Sequence, residues 1–254
     1  MDIIFGRNPV LEALRSGRPA RKIVVATGIR PDQRVREILD LARTAGIPCE
    51  ESARQRLDDI AHTEHHQGVA GYFHTRPPLH LDALLQRARD PALLVVLDGV
   101  QDPQNLGAIA RTADACAVDG IVLSRHNAAT VTGAAAKASA GATEHVPIAV
   151  AGNLVQALDV IRQHGLWRVG LDADSSARYD SFDYTQPLAL VLGAEGAGLR
   201  PLVRRVCDAI VSLPMLGHIA SLNVAASAAV MLYEVQRQRG FGQPPRGRVV
   251  PCVR

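Results

Sequence analysis

The segment "LALVLGAEGAGLRP", residues 188–201, runs from an unbroken apolar stretch into a turn of small residues with one acid at its centre. Leu188 to Leu192 reads as a strand buried on both faces, because its apolar residues are continuous rather than alternating. The glycines that follow allow a tight turn and close backbone approach to another group. A phosphate loop is excluded: no Lys-Ser/Thr pair follows, the Gly-x-Gly-x-x-Gly spacing is absent, and Glu195 would repel a phosphate. Glu195 therefore either orients a cationic or hydroxyl-bearing ligand or caps a helix beginning near Leu199.

Outward from this segment the same pattern recurs. Strands are expected at 93–98 (LLVVLD), 120–124 (GIVLS), 145–149 (HVPIA), 168–171 (RVGL) and 209–213 (AIVSL). Helical periodicity falls at about 105–117, 131–140, 153–164 and 221–239. Continuous apolar strands alternating with helices imply a mostly parallel sheet covered on both faces. Residues 1–75 read as a separate small α/β unit. "NPVLEALRSG" suggests a helix capped by Asn8 with Pro9 at its first position and Gly17 as its stop. Helices follow at "DQRVREILDLARTAG" and "ARQRLDDIA", with strands at 22–26, "IPCEES" and 68–73. The proline-bearing stretch within 76–90 reads as a linker. Residues 91–239 form the larger domain, and 240–254 a flexible basic tail.

Composition narrows the function classes. Hydrophobic residues at 47% and charged residues at 21% are ordinary for a soluble globular protein. Aromatics at 4% argue against RNA binding through rows of stacked rings. No apolar run is long enough for a membrane span and the N-terminus has no signal-peptide pattern, so a cytoplasmic protein is expected. The scattered Cys49, Cys116, Cys207 and Cys252 suggest neither disulfide framework nor zinc site. His62 and His65 have helical i, i+3 spacing, but with Glu64 and His66 the run matches neither His-Glu-x-x-His nor its inverted form, and no metal is expected. Positive charge is almost all arginine, with only Lys22 and Lys137 as lysines. That suits phosphate recognition, and a GC-rich genome would produce the same bias.

In parallel α/β sheets ligands sit beyond the carboxyl ends of strands, and three such ends carry polar groups here. "LDGVQDPQNLGAIARTADA" (97–115) offers Asn105 as a helix cap. It also offers Arg111 as an anion or oxyanion holder, with Gly107 leaving room beside the guanidinium; the alternative is a surface arginine paired with Asp114. The opening segment offers Glu195. "VSLPMLGHIASLNVAASAAVMLYE" (211–234) offers Ser221 and Asn223, which would also serve as simple caps, ahead of an alanine-lined helix.

Taken in order, "DPQNLGAIARTADA", "LVLGAEGAGL" and "LPMLGHIASLNVAASAAVMLYE" resemble the three signature segments of the SpoU/TrmH family of RNA ribose 2′-O-methyltransferases. "HHQGVAGYF" resembles the end of the N-terminal RNA-binding domain in the bacterial branch that methylates a guanosine of large-subunit (23S) rRNA, in the peptidyl-transferase region. The resemblance covers about residues 2–239. It implies a SPOUT-type parallel-sheet domain with a trefoil knot, S-adenosyl-L-methionine as cofactor, 23S rRNA as partner, a homodimer, and no membrane or metal. By motif matching, Arg111, Asn105, Glu195, Ser221 and Asn223 fall on catalytic positions. Leu192, Gly193, Glu195, Gly196, Leu213, Met215 and Leu222 fall on the cofactor pocket. Arg7, Asn8, Arg54, Arg56, His66 and Gln67 are the RNA-facing candidates. Ala220 stands where many relatives have serine, His218 adds bulk to a loop of small residues, and Leu171 replaces a common threonine. The alternatives are a tRNA or other-site rRNA 2′-O-methyltransferase, or a non-catalytic RNA-binding assembly factor.

Overall fold

The computed structural model describes residues 1–125, 133–219 and 221–241. Its first part contains β1 (Asp2–Phe5), α1 (Arg7–Arg15), β2 (Ala20–Ala26), α2 (Gln33–Thr44), β3 (Cys49–Ser52), α3 (Arg54–Ala61) and β4 (Val69–Phe73). These strands form a sheet in the order β1-β4-β2-β3, with β2 and β3 parallel and the other pairs antiparallel. α1 starts earlier than the Asn8-Pro9 pair suggests. Gly6, at φ 96°, turns the chain straight from β1 into the helix and takes the capping position itself. Asn8 lies in the first turn and caps nothing, while Pro9 is tolerated there because first-turn amides have no intrahelical acceptor.

The segment read as a linker carries a short helix, α4 (Leu81–Leu85), whose Leu84 and Leu85 are buried. The second sheet combines β5 (Leu93–Asp98), β6 (Gly120–Ser124), β7 (Ile148–Ala151), β8 (Trp167–Leu171), β9 (Leu188–Gly193) and β10 (Ala209–Val211). The order is β10-β8-β9-β5-β6-β7, and every pairing is parallel. Helices α5 (Pro103–Ala115), α6 (Gly133–Ala138), α7 (Leu154–Gln163), α8 (Pro201–Val206) and α9 (Val224–Gln238) complete the described elements. The α/β class and parallel sheet expected from the sequence are both present.

Strand β5 shows why its sequence is continuously apolar. Leu93, Val95 and Leu97 pack with Leu106, Ile109, Met231 and Leu232 of α5 and α9. Leu94 and Val96 pack on the opposite face with Leu84, Leu158 and Val203 of α4, α7 and α8. Side chains alternate across a strand, so a strand covered on both faces must be apolar at every position. β7 begins three residues later than expected because residues 142–144 form a 3₁₀ turn and Pro147 has no amide to donate. Helix α8 is the helix offered near Leu199; it begins at Pro201, and its six residues give too few turns for periodicity to register.

Where α9 ends, Arg239 donates to the backbone carbonyls of Tyr184, Pro91, Ala92 and Gln186. One guanidinium thus fastens the C-terminal helix to the chain entering β5 and β9. Arg239→Met should cost about 2–3 kcal/mol, since it strands several carbonyls at once. In a thermal melt that corresponds to a fall of about 5–10 °C; an unchanged midpoint would remove this role.

Candidate functional site

Parallel strands deliver the carboxyl ends of β5, β8, β9 and β10 to one edge of the sheet. There the loop after β9 folds back on itself. Ala194 bridges Gly198, and the Gly198 amide donates to the Ala194 carbonyl at 3.0 Å. A Cβ at Gly193 would lie 2.2 Å from the backbone carbon and oxygen of Gly198, so only glycine fits. Gly196 and Gly198 both have positive φ, at 74° and 62°, which glycine adopts without strain.

The loop's two ends share one anchor. Asp98 closes β5 in register with Gly193 and is 1% exposed. Its carboxylate accepts from the Arg200 backbone amide at 2.9 Å and from Arg200 Nε at 2.6 Å. Glu195, at the loop's centre, caps no helix: α8 starts at Pro201 with Arg200 in the capping position.

Instead Glu195 joins a cluster. Asn223 Nδ2 donates to Asn105 Oδ1 at 2.9 Å and to Glu195 Oε1 at 2.5 Å. Its Oδ1 accepts from the amides of Ala225 and Ala226, which caps α9. Asn223 is therefore the cap of α9 and, with the other end of the same amide, a member of the polar cluster. Asn105 does not cap α5; Asp102 does, accepting from the Gln104 amide at 3.0 Å, because a side chain two residues before the acceptor-less amides has the better reach.

Beside the cluster lies a cavity of about 850 Å³. Leu192, Gly193, Glu195, Gly196, Leu213, Met215, Ser221 and Leu222 all line it, joining the second and third signature segments in one wall. Asn105 and Asn223 are not in its lining; they meet it through Glu195. Arg111 also stands outside the lining, exposed on α5, and no described residue forms an ion pair with it. Gly107 does not make room for that guanidinium. A Cβ there would meet Ala138 Cβ at 2.4 Å and the Ala135 carbonyl at 2.8 Å, so Gly107 serves the packing of α5 on α6. Sequence reasoning missed Asp172, Arg204 and Ser227 in the cavity wall. The only available signal was the acid directly after a buried strand in "VGLD". Ala220 and all of the tail beyond Phe241 lie outside the described residues.

The RNA-facing candidates divide. Arg54 and Arg56 are exposed on α3. Arg7 is tied to Asp32 at 2.7 Å and to Gln67, whose Oε1 accepts from the Arg7 amide at 3.0 Å. Asn8 is half-buried beside it. His66 contradicts its expected RNA-facing place. It is fully buried, with Nε2 2.9 Å from Asp58 Oδ1 and Nδ1 accepting from the Gly68 amide. A ring enclosed on both nitrogens shapes the turn from beneath, while Gln67 beside it is exposed. Among the described residues no His, Cys, Asp or Glu cluster could hold a metal ion, and no helix is long and apolar enough to cross a membrane.

A sequence model of the SpoU rRNA Methylase family matches residues 92–233, and a model described as RNA 2′-O ribose methyltransferase substrate binding matches residues 3–79. An uncharacterized tRNA/rRNA methyltransferase of Mycobacterium leprae is 44% identical over 94% of this chain and 78% of its own. The SpoU methyltransferase AviRb of Streptomyces viridochromogenes, in complex with AdoMet, superposes with a TM-score of 0.79 at 29% identity, over 94% of this chain and 91% of that one. An AdoMet-bound rRNA methyltransferase of Sinorhizobium meliloti superposes with a TM-score of 0.78 at 28% identity, over 93% and 87% of the two chains.

Two glycines of the loop should respond differently to alanine. Gly193→Ala forces backbone against backbone and should lower the melting temperature strongly. Gly196→Ala meets nothing within 4 Å and carries only the strain of its positive φ, about 1 kcal/mol. Differential scanning calorimetry of both variants checks the order; equal shifts would contradict the loop geometry.

Proposed function

Since the chain belongs to the SpoU rRNA methylase family, we propose that it methylates the ribose 2′-hydroxyl of a guanosine in the peptidyl-transferase region of 23S rRNA. The protein is an S-adenosylmethionine-dependent RNA methyltransferase of the SpoU/TrmH family. A shared polar centre is supported by Asn223, whose single amide ties Asn105 of the first signature segment to Glu195 of the second while capping the helix of the third. Residues far apart in sequence are thereby held as one polar group at a cavity mouth.

The residues fit the cofactor. The cavity volume suits a nucleoside with an amino-acid tail. Its apolar walls, Leu171, Leu192, Leu213, Met215 and Leu222, match a flat base, and the glycine loop offers backbone rather than bulk. When bound, S-adenosylmethionine supplies a methyl group on a cationic sulfur. The chain must then orient the 2′-hydroxyl for in-line attack and stabilise its developing alkoxide. Arg111 takes the second task in this proposal, as a cation that holds the ribose oxygen or an adjacent phosphate. A guanidinium stays charged in proteins and is a poor base, so the proton leaves to substrate phosphate or water. Asn105, Asn223 and Ser221 position the ribose, and Glu195 orders the cluster.

The remaining expectations belong to the same proposal. Residues 1–75 act as the RNA-binding unit, 91–239 as the methyltransferase domain, and 240–254 as a basic tail, in a cytoplasmic protein. Arg54 and Arg56, exposed on α3, support phosphate contact on the first unit. The family's trefoil knot is supported by the position of β10 beyond β8 and the return of the chain to α9, which packs on α5 and β9. A homodimer is supported by the apolar residues that α9 leaves uncovered: Val230 and Tyr233, with Leu222 before the helix and Phe241 after it.

Labelled methyl transfer to unmodified 23S rRNA, followed by mapping of ribose methyls, tests the function. A single methylated guanosine in the peptidyl-transferase region is expected; labelling of tRNA alone would move the substrate to tRNA. Arg111→Lys should retain charge but lose at least about tenfold in turnover, because the bidentate fork is gone. Near wild-type turnover would end that role. Tyr233→Asp should convert a dimer to monomers in sedimentation at micromolar protein; an unchanged mass would place the subunit contact elsewhere.

A further inference from the structure

One wall of the cavity carries a pair of charges that the reading above leaves unused. Asp172 follows β8 directly, and Arg204 belongs to α8; Arg204 Nε lies 3.3 Å from Asp172 Oδ2. Both line the cavity. The Asp172 carboxylate is largely enclosed, with 13% of its side chain exposed. Its Oδ1 accepts from the Asp174 amide at 3.0 Å. Its Oδ2 faces the glycine loop, 3.7 Å from where a Cβ of Gly198 would stand. Gly198 has no side chain to fill that gap, so the loop leaves the carboxylate open toward the cavity.

A carboxylate has about four acceptor sites. The Asp174 amide occupies one of those on Asp172 Oδ1, and Arg204 stands as an ion-pair partner beside Oδ2. What remains is a fixed, charged, two-oxygen acceptor set into a largely apolar pocket. The donors best matched to it are two adjacent hydroxyls, which satisfy both oxygens at once, as the acid of dinucleotide-binding folds does for a ribose. The other acid in the lining with a defined partner, Glu195, is engaged by Asn223 at the opposite end of the loop. Resting on the cofactor assignment above, we propose that Asp172, oriented by Arg204, binds the vicinal ribose hydroxyls of S-adenosylmethionine. It thereby fixes which end of the cavity receives the nucleoside and leaves the Glu195–Asn223–Asn105 end for the reacting methyl group and RNA.

Calorimetric titration with S-adenosylhomocysteine and its 2′-deoxy and 3′-deoxy analogues tests this without turnover. With the wild-type protein, loss of a hydroxyl should weaken binding by about 10- to 100-fold, as expected for a hydrogen bond to a charged group. In Asp172→Ala the three ligands should bind alike, all at the weakened level. Asp172→Asn keeps the acceptor for the Asp174 amide and so preserves the turn, and it should recover stability without recovering the hydroxyl preference. A deoxy penalty that persists in both variants would overturn the proposal, since other groups would then bind the ribose. So would methylthioadenosine, which keeps the ribose but lacks the amino-acid tail, binding both variants as tightly as wild type. Failure of the wild-type protein to bind S-adenosylhomocysteine would instead sink the cofactor assignment itself.

Discussion

A buried carboxylate at the end of β5 holds the site in shape. Asp98 is enclosed by the sheet, and its carboxylate accepts from both the backbone amide and the side chain of Arg200. Burying a carboxylate is costly unless charge and hydrogen bonds compensate. That cost makes the arrangement all-or-none: the chain after β9 must return to Asp98, and six residues later it does. The short excursion leaves room only for a turn in which Gly193 touches Gly198. The loop is thus shaped by what lies under it, and its small residues are the consequence. The part of the cavity wall that this loop supplies, Gly193 to Gly198, follows from that closure.

Much of this was legible in the sequence, and the reason is the physics of a covered parallel sheet. Strands buried on both faces cannot hide: LLVVLD and LALVL are continuous because both faces meet helices. The three polar strand ends were legible too, since a parallel sheet sends them to one edge. What failed were contests between neighbouring groups for the same amides. Asn8 and Asn105 are good caps by type, yet Gly6 and Asp102 took those positions through backbone turning and reach that one-dimensional spacing does not encode. Gly107 and His66 failed for another reason. Their neighbours, α6 and Asp58, are brought by tertiary structure, so a glycine meant for helix packing and a histidine sealed under a turn look identical in sequence to a gap and a surface ligand. Asp172 was overlooked because a lone acid after a strand is common, and only its placement opposite Gly198 gives it meaning.

The two sheets are joined through charges rather than a shared apolar core. Arg18, 8% exposed, pairs with Glu144 at 2.7 Å and also with Asp2. His145 Nε2 meets Glu12 at 2.7 Å, and Lys137 donates to the His65 carbonyl at 2.7 Å. Glu12 is held below its usual range: burial alone would raise it, but hydrogen bonds from His145 and Arg15 outweigh that. Ala136 of α6 is the apolar part of the seam, packed into the core of the first unit. Because α6 also packs on α5 at Gly107, it touches the first unit on one side and the Asn105 helix on the other. A displacement of the first unit would therefore reach α5 through α6 and through the neighbouring 3₁₀ turn at residues 142–144.

Asn223 ties the start of α9 to the polar cluster through one side chain. Its carbonyl oxygen caps α9, and its amide nitrogen builds the polar cluster, so one rotamer must satisfy both. Helix α9 cannot start properly unless the side chain is turned toward Ala225, and that same turn sends its amide toward Asn105 and Glu195. The far end of the helix is fastened by Arg239 to the chain entering β5 and β9, the two strands that carry Asp98 and Gly193. The helix is thus clamped at one end by the site and at the other by the strands that form it. A polar cluster standing at a cavity mouth would otherwise lose its geometry to water. Here it is held because Asn223, its central member, is also the cap of α9.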